Sequence, residues 1–192
     1  MTDTQWDEIT LAKRVSAGDE HASILLLEMA QPRVEKTAMY LCRDLPERED
    51  VIQNTLIEIL NSVATFQGNS SFFYWVDRVT LHTAARIIKK KVRRQQLFEQ
   101  TFIPLAEPKS VEDEMDHRKM QQALALLLEK IGLKERTALV LHYLYGYAAD
   151  EIADMTQTGV FTVRGRLRNG KKKLRKLVLG NPTLVDWIAV NK

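Results

Sequence analysis

The sequence predicts an all-α fold made of two small helical domains. Apolar residues recur at three- and four-residue steps along most of the chain, which is the spacing that places them on one face of a helix. Glycine and proline are sparse, at 8 and 5 of 192 residues, and the two-residue alternation of strands is hard to find. An apolar content of 45% is enough for packed cores in one large or two small domains.

Two helices and a proline are expected at the start of the chain. Ile9, Ala12 and Val15 share one helical face and predict a first helix. Asp19 is placed to cap a second helix. The inward face of that second helix is expected to consist of Ala22, Leu25, Leu26 and Met29. Pro32 is expected to start a separate element.

Two further helices follow, separated by a loop of glycine, asparagine and serine. The first begins after Asp44-Leu45-Pro46, and its inward residues are expected to be Ile52, Leu56, Ile59 and Val63. Gly68-Asn69-Ser70-Ser71 predicts a loop and an N-cap for a helix that begins at Phe72. That helix runs into a basic block, Arg86 to Arg94.

The helical periodicity fails between about Gln95 and Arg118, where two prolines and an acidic run occur. We interpret residues 96–118 as a flexible linker between a domain at 1–95 and a domain at 119–179. The second domain opens with an amphipathic helix whose inward residues are Met120, Ala123, Leu124, Leu127, Leu128 and Ile131. The tail, 180–192, is rich in apolar residues and is expected to form a short helix packed on one of the domains.

The segment from Gly132 to Leu177 has the pattern of a helix-turn-helix. Glu151-Ile152-Ala153 predicts a compact first helix, and Thr156 to Val160 supplies the break. The last helix has an apolar face made of Val163, Leu167, Leu174 and Val178. An adjacent cationic stripe consists of Arg164, Arg168, Lys171 and Arg175. In such a motif the second helix enters the major groove, so the pattern predicts a DNA-binding protein.

The distribution of charge supports that prediction better than the net charge of +3 does. Two stretches, Arg86–Arg94 and Arg164–Lys176, contain half of the lysine and arginine residues. The first stretch has six cations and no acid, whereas solvated surfaces usually mix both signs. Contact with phosphates is therefore the favoured interpretation of this block.

No pattern of catalytic or metal-binding residues is present in the sequence. The four histidines are scattered without ligand spacing, and nucleophile, phosphate-loop and dinucleotide motifs are absent. We therefore expect no enzyme activity, no metal and no cofactor. Cys42 has no cysteine to pair with and is expected to be a buried thiol. The start of the chain lacks the pattern of a signal peptide, and no apolar run is long enough to span a bilayer, so a cytoplasmic protein without membrane insertion is expected.

Four segments, in this order and at these intervals, resemble the short sigma factors of bacterial RNA polymerase, the extracytoplasmic-function group that keeps only regions 2 and 4. The resemblance covers nearly the whole chain and implies a sigma region 2 domain followed by a sigma region 4 helix-turn-helix domain. The segments are Leu11–Ala22, Glu49–Leu60, Phe72–Val79 with the basic block, and the helix-turn-helix with the preceding LKERTALVLHYLYGY.

The resemblance implies that the segment from Asp50 to Leu56 grips a coiled coil of the largest polymerase subunit. The residue chemistry is compatible, because a polar face lies opposite the inward Ile52 and Leu56. The polymerase-binding residues predicted in this way are Asp50, Gln53, Asn54 and Glu58. The alternative is that these residues form an ordinary solvated helix face. The resemblance of the four segments together favours the polymerase contact.

The resemblance also implies that the helix from Phe72 to Arg94 recognises and opens the minus-ten element of the promoter. Opening a duplex costs roughly 1.4 kcal/mol per base step, and capture of one unstacked base returns about 1–3 kcal/mol. The alternative for Phe72, Trp75 and Val79 is a place in the core, which is favoured for Trp75. The predicted DNA-binding residues are Phe72, Phe73, Arg78, His82, Arg86, Lys89, Lys90, Lys91, Arg93, Arg94, Thr162, Arg164, Arg166, Arg168, Lys171 and Lys172.

The chain departs from the family pattern at several positions. His82 replaces a usual asparagine, Arg86 replaces a usual aspartate, and Phe161 stands where the family has the glycine of Gly-Thr-Val. The turn glycine is interpreted as displaced to Gly159. Gly165 and Gly170 are each expected to cost about 1 kcal/mol relative to alanine in a helix interior. Arg166 is a candidate for a structural ion pair.

Three functions remain open from the sequence. The leading one is a sigma factor that binds core RNA polymerase and directs promoter recognition and opening. The second is an autonomous helix-turn-helix regulator, which would need neither a polymerase-binding face nor an element for melted DNA. The third is a degenerate sigma-like protein that mainly binds other proteins. The partners implied by the leading hypothesis are core RNA polymerase, promoter DNA and an anti-sigma factor.

Overall fold

A computed structural model describes residues 7–97, 117–182 and 184–185 of the chain. Within these ranges the secondary structure is entirely helical, as the sequence predicts. Eight α-helices are present in the described part of the chain. They are α1 (Glu8–Ser16), α2 (Glu20–Leu41), α3 (Leu45–Ser62), α4 (Phe72–Leu97), α5 (His117–Glu129), α6 (Leu133–Leu139), α7 (Ala149–Met155) and α8 (Val160–Leu179). A 3₁₀ turn, Val63–Thr65, follows α3, and a π-helical turn, Val140–Leu144, continues α6.

Helices α2 and α4 begin at the caps that the sequence predicts. The Asp19 carboxylate accepts the Ala22 N–H at 3.0 Å at the start of α2. The Ser71 hydroxyl accepts the Tyr74 N–H at 3.2 Å at the start of α4. At α3 the cap is Asp44, which accepts the Glu47 N–H at 2.8 Å. Each cap satisfies a backbone donor that the first helical turn leaves unpaired, and so fixes where the helix begins.

The expectation that Pro32 starts a new element is wrong, because α2 runs unbroken from Glu20 to Leu41. Proline costs a helix interior about 3 kcal/mol or more, through its missing N–H and the clash of its ring with the preceding turn. Burial on both sides offsets that cost, since Ala30 and Val34 are fully buried. Met29 was expected to face inward and is instead 37% exposed.

The C-terminal four helices include the predicted helix-turn-helix, α7 and α8, which packs with α5 and α6. The inward residues Leu127, Leu128 and Ile131 of α5 and its C-terminal extension are buried. Gly146 adopts a φ of +78°, a conformation that glycine reaches without steric cost, in the turn between the π-helical turn and α7. This turn presents Tyr145 and Tyr147 to the N-terminal helices.

The two halves of the chain share an apolar core. One cluster of buried side chains belongs to α1–α4 and the 3₁₀ turn with the loop that follows it. A second cluster combines residues of α2 with residues of α5–α8, among them Ala38, Leu41, Leu128, Leu139 and Val163. The halves therefore pack against each other directly.

The predicted division into domains stays a prediction. Residues 96 and 97 are helical in α4, and residues 117 and 118 are helical in α5. The remainder of the predicted linker lies outside the described residues. In the tail, Leu184 is buried at 1% exposure, and most of the other apolar residues that motivated the helix prediction lie outside the described residues.

Cys42 provides a natural reporter of this packing. The thiol is fully buried in the shared core, and burial, assisted by the Glu47 carboxylate, raises its pKa to about 12. We expect alkylation of Cys42 by iodoacetamide at pH 8 to be at least about 10³-fold slower than that of an exposed thiol, since the thiolate is the nucleophile. Peptide mass spectrometry over time measures both rates.

A second cysteine introduced at the exposed Asn61 serves as the internal control in the same molecule. Denaturant is expected to bring the two alkylation rates together. Similar rates without denaturant would mean that the core around Cys42 opens readily, contrary to its packing.

Candidate nucleic-acid interface

Helix α8 has one face against the core and one face open to solvent. Val163 and Gly170 are buried on the inner face. The outer face is formed by residues at three- and four-residue steps, namely Phe161, Gly165, Arg168 and Lys172. Leu139 lies against Gly170, where a Cβ atom would be 3.1 Å from the Leu139 Cγ. Gly170 therefore permits the close approach of α8 to α6, and α8 is one continuous helix across both glycines.

The two glycines of α8 are expected to respond differently to alanine. Gly165→Ala should raise the free energy of unfolding by about 0.5–1 kcal/mol, because alanine is the better helix former and no atom lies within 4 Å of its Cβ position. Gly170→Ala should lower it by about 1–3 kcal/mol if the tightly packed Leu139 cannot move, as is usual for overpacking. Urea denaturation measures both. An equal gain at the two positions would contradict the packing role of Gly170.

The turn between α7 and α8 differs from the sequence interpretation. Gln157 adopts a φ of +49°, and this is the left-handed residue of the turn. Gly159 instead has a φ of −74° and is the N-cap residue of α8. The idea that the turn glycine is displaced to Gly159 is therefore wrong, because the left-handed position is occupied by a glutamine. At the start of α7 the Glu151 carboxylate accepts the Ala148 N–H at 2.7 Å.

Most of the predicted DNA-binding residues of α8 are exposed. They are Thr162, Arg164, Arg168, Lys171 and Lys172. Arg166 is half-buried and lines a cleft of about 260 Å³ between the halves, together with His82 and Lys89 of α4. An ion pair on this helix is made by Lys173, whose ammonium lies 2.6 Å from the Glu135 carboxylate.

The basic residues of α4 form a continuous exposed stripe. Three- and four-residue steps connect its members, which are Arg78, His82, Arg86, Lys89 and Arg93, with Lys90 and Arg94 beside them. The sole acid between Phe72 and Leu97 is Asp77, which is fully buried. The stripe therefore has no neutralising neighbour on its own helix.

Lys91 does not belong to this stripe. Its position is two residues away from both Lys89 and Arg93, so it projects from the other side of α4. The ammonium pairs with the Asp44 carboxylate and lies 3.4 Å from the Glu47 carboxylate. Burial works against the charge of Lys91, but the hydrogen bond to Asp44 and both carboxylates outweigh it and raise the pKa. Lys91 ties α4 to the start of α3, so its prediction as a phosphate contact is not supported by this geometry.

The aromatic residues at the start of α4 divide between core and surface. Phe72 is 1% exposed, and its ring packs edge-to-face on Phe66 at 5.7 Å between centroids. Trp75 is 8% exposed and donates its indole N–H to Thr65 at 3.2 Å. Phe72 is thus unable to stack on a base in this conformation, because its ring is enclosed by other side chains. Phe73, at 40% exposure, remains accessible.

A cleft of about 620 Å³ opens between the end of α3 and the outer side of α4. Its lining combines one aromatic ring with polar and charged side chains, among them Glu58, Trp75, Arg78, His82 and Arg86. Glu58 was predicted to contact polymerase, and it borders this cleft beside the basic stripe. The sequence did not predict the cleft, because its lining comes from two helices and the turn between them.

The predicted polymerase-binding face of α3 is exposed at Asp50, Gln53 and Asn54. The Asn54 amide donates to the backbone carbonyl of Asp50 at 2.8 Å. Ile57, one turn further along the same face, is 58% exposed. An apolar side chain at an exposed position beside polar neighbours marks a candidate contact, and Ile57 was not predicted from the sequence. Its signal was its four-residue step from Gln53.

A polar network that the sequence did not predict joins the two halves. The Arg33 guanidinium of α2 pairs with the buried Asp77 carboxylate of α4 at 2.6 Å. The Tyr147 hydroxyl donates to the same carboxylate at 2.8 Å. Beside them, the Tyr145 hydroxyl lies 2.6 Å from the Thr37 hydroxyl. The Arg33 guanidinium stacks on the Tyr145 ring, with its carbon 3.4 Å from the ring centroid.

The helix-turn-helix also contacts α4 directly. Tyr74 donates to the Asp154 carboxylate at 2.8 Å, and a ring nitrogen of His82 lies 3.2 Å from the Met155 carbonyl oxygen. Burial, the hydrogen bond and the charge of Asp154 raise the pKa of Tyr74 to about 12. Tyr74 is therefore neutral and able to donate throughout the physiological pH range.

Among the residues that the structure describes, no group of three or more histidine, cysteine, aspartate or glutamate side chains is arranged to hold a metal ion. In the same part of the chain, none of the helices combines the length and the apolarity that crossing a membrane requires.

Both halves match models of known protein regions. Residues 26–94 match Sigma-70 region 2, and residues 121–174 match Sigma-70, region 4. The chain belongs to the sigma-70 family. It is an RNA polymerase sigma factor for transcription initiation, of the extracytoplasmic-function group.

Sequence relatives agree with this assignment. The sigma factor is 26% identical to the RNA polymerase sigma-H factor of Pseudomonas aeruginosa over 90% of its own length and 94% of that relative. It is also 26% identical to the ECF RNA polymerase sigma-E factor of Escherichia coli, over 91% and 95% of the two chains.

Two solved structures share the fold of this sigma factor at 19% identity. The sigma factor RpoE of Bartonella quintana, in complex with the anti-sigma factor NepR, superposes with a TM-score of 0.64 over 81% of this chain and 95% of that one. CnrH, in complex with the cytosolic domain of CnrY, superposes with a TM-score of 0.60 over 91% and 99%. At this identity the likeness concerns the fold alone.

Proposed function

We propose that this sigma factor binds core RNA polymerase through the exposed face of α3 and binds promoter DNA through α4 and α8. The observation that carries the proposal is the stripe from Arg78 to Arg93, whose cations face solvent without an exposed acid on their helix. Such a line of charge follows a phosphate backbone and releases counterions when it binds. The outer face of α8 supplies a second cationic surface for duplex DNA.

The cleft beside the stripe is proposed to take one unpaired base from the melted minus-ten element. It is large enough for a nucleobase, and Trp75, Arg78 and His82 offer ring edges and hydrogen-bonding groups at its wall. Base capture of about 1–3 kcal/mol offsets the roughly 1.4 kcal/mol cost of opening one base step. Arg78 and Arg86 at the same wall are placed to contact the neighbouring phosphates.

The α3 face is proposed to dock on a basic and amide-rich helical surface of the polymerase. Asp50 supplies negative charge, and Gln53 and Asn54 supply hydrogen-bonding amides. Ile57 adds an apolar contact at the end of this face. An apolar anchor with a polar surround is the usual composition of a specific protein interface.

An anti-sigma factor is proposed as a further partner. One solved structure that shares this fold, RpoE of Bartonella quintana, is a complex with the anti-sigma factor NepR, and another, CnrH, is a complex with the cytosolic domain of CnrY. In this chain the helix-turn-helix rests on α4 through Tyr74 and His82. A partner that binds across both halves would hold this arrangement and compete with polymerase.

The sigma factor is further proposed to act in the cytoplasm, where its polymerase is, and to catalyse no reaction on its own. The scattered histidines and the lack of a nucleophile motif in the sequence support the second point. RNA synthesis then belongs to the polymerase.

Run-off transcription with purified core polymerase and genomic promoter fragments tests the proposal. The full chain is expected to produce specific transcripts. Gln53→Ala combined with Ile57→Ala should weaken capture of core polymerase, whereas Glu28→Ala, an exposed acid on α2, should not. Specific transcripts from the double variant at wild-type level would contradict the α3 assignment.

The stripe is tested by the salt dependence of promoter binding. Lys89→Ala with Arg93→Ala is expected to reduce the slope of log affinity against log salt by about 0.9 for each lost phosphate contact. Open-complex formation should fall with it. An unchanged slope, with the helical circular dichroism preserved, would make the stripe an ordinary solvated face.

A further inference from the structure

The most exposed large apolar side chain among the described residues is Phe161, at 85% exposure. It lies in the first turn of α8, on the face of the helix opposite to the buried Val163 and Gly170. A phenylalanine at this position does not contribute to the packing of the protein interior. An aromatic ring that stays in water in the free protein marks a contact made with a partner.

The surroundings of the ring identify duplex DNA as that partner. The Arg164 guanidinium carbon lies 5.8 Å from the ring centroid, and Arg168 and Lys172 continue the same exposed face. These cations follow Phe161 along the helix and attract phosphates next to the ring. A protein partner would have to neutralise the same charges, whereas DNA supplies the opposite charge along the whole face.

Gly165 adds a second feature beside the ring. It follows Phe161 by one helical turn, and a Cβ atom built on it would have no neighbour within 4 Å. The helix surface next to the ring is therefore recessed, which allows the edge of a base pair to approach the backbone. An apolar ring beside a recess fits an apolar group that projects from the floor of a groove.

We propose that Phe161 recognises a thymine by seating its ring against the C5-methyl group in the major groove, with Gly165 providing the space. Thymine is the base that presents a methyl group there, and apolar side chains contact it. The inference rests on the proposed function, since it requires the outer face of α8 to meet duplex DNA. The proposal gives Phe161 a role in sequence recognition, at a position where the sigma factors that this chain resembles have a glycine.

The test uses the full chain bound to core polymerase. Promoter fragments with a randomised upstream element are selected by binding and sequenced, first with the wild type and then with Phe161→Ala. The wild type is expected to prefer thymine at one position at which the variant has no preference. Deoxyuridine, which lacks only the methyl group, is then placed at that position in one selected promoter.

Deoxyuridine is expected to weaken wild-type binding about 4-fold, the factor for losing one buried methyl group, and to leave Phe161→Ala binding unchanged. Phe161→Leu should restore part of the discrimination, because leucine retains an apolar contact. A wild type that does not distinguish deoxyuridine from thymidine, or a Phe161→Ala variant that still does, would overturn the proposal.

Arg168→Ala separates this proposal from the proposed function. If Arg168→Ala weakens binding but Phe161→Ala changes neither affinity nor preference, the outer face meets DNA and the role of Phe161 is wrong. If neither substitution affects binding, the outer face of α8 is not the DNA surface and both fail. Loss of binding to another protein by Phe161→Ala, with DNA preference intact, would equally overturn the assignment.

Discussion

Replacing both Arg164 and Arg168 with alanine is expected to weaken binding of the upstream promoter element by about 1–3 kcal/mol for each lost base contact. Both side chains are exposed on α8 and neither supports the core, so the fold should be preserved. Binding of core polymerase should remain, because the α3 face is untouched. Footprinting of the holoenzyme on a promoter fragment measures the loss.

Lys176→Ala provides the matched control for this pair. It removes one exposed cation from the last turn of the same helix, far from the turn that leads into the groove. A small loss of affinity, equal for all sequences, is expected there. A footprint over the upstream element that is the same in the double variant and the wild type would reject α8 as the recognition helix.

Arg33→Ala is expected to lower the free energy of unfolding by about 3–5 kcal/mol, because it leaves a buried carboxylate without its charge partner. Asp77 is fully buried, and its carboxylate accepts hydrogen bonds from two nitrogens of the Arg33 guanidinium. The shortest nitrogen–oxygen distance is 2.6 Å. Burial disfavours the charge of Arg33, but Asp77 outweighs this effect and raises the pKa of the guanidinium. The Tyr147 hydroxyl is then the remaining side-chain donor to Asp77 in the described network.

Urea denaturation gives the size of this effect, and Lys36→Ala, an exposed cation on the same helix, gives the background. Arg33→Lys should recover only part of the loss, since an ammonium cannot reproduce the planar fork. Faster alkylation of Cys42 in Arg33→Ala would indicate that the halves separate more readily. A loss below about 0.5 kcal/mol, the range of ordinary surface substitutions, would mean that the pair is not important for stability.

Helix caps and helical periodicity made much of the fold predictable from the sequence. Asp19 and Ser71 cap the helices that they were expected to cap, since a cap depends on a bond to a residue three positions away. The all-α fold and the sigma-70 assignment followed from patterns of the same local kind. The prediction that the cationic residues of α8 are exposed was also correct, because the position of the core face of a helix fixes the position of the opposite face.

Pro32 and Phe72 show where local patterns were insufficient. A proline normally ends a helix, yet α2 continues through it because Ala30 and Val34 are buried on both sides. An aromatic residue near a basic block suggests base stacking, yet Phe72 is enclosed by Phe66 and Trp75. In both cases the deciding atoms belong to other parts of the chain.

The sequence by itself determined which segments are helical, where several of them begin, and that two basic surfaces exist. Only the tertiary structure decided which charged residues are free to meet a partner. Lys91 was part of a basic run in the sequence and is held by Asp44 and Glu47 in the fold. Arg33, Asp77 and Tyr147 meet although they are 44 and 70 residues apart. Residues this distant leave no periodic signal, because their contact depends on how helices pack and not on the geometry within a helix.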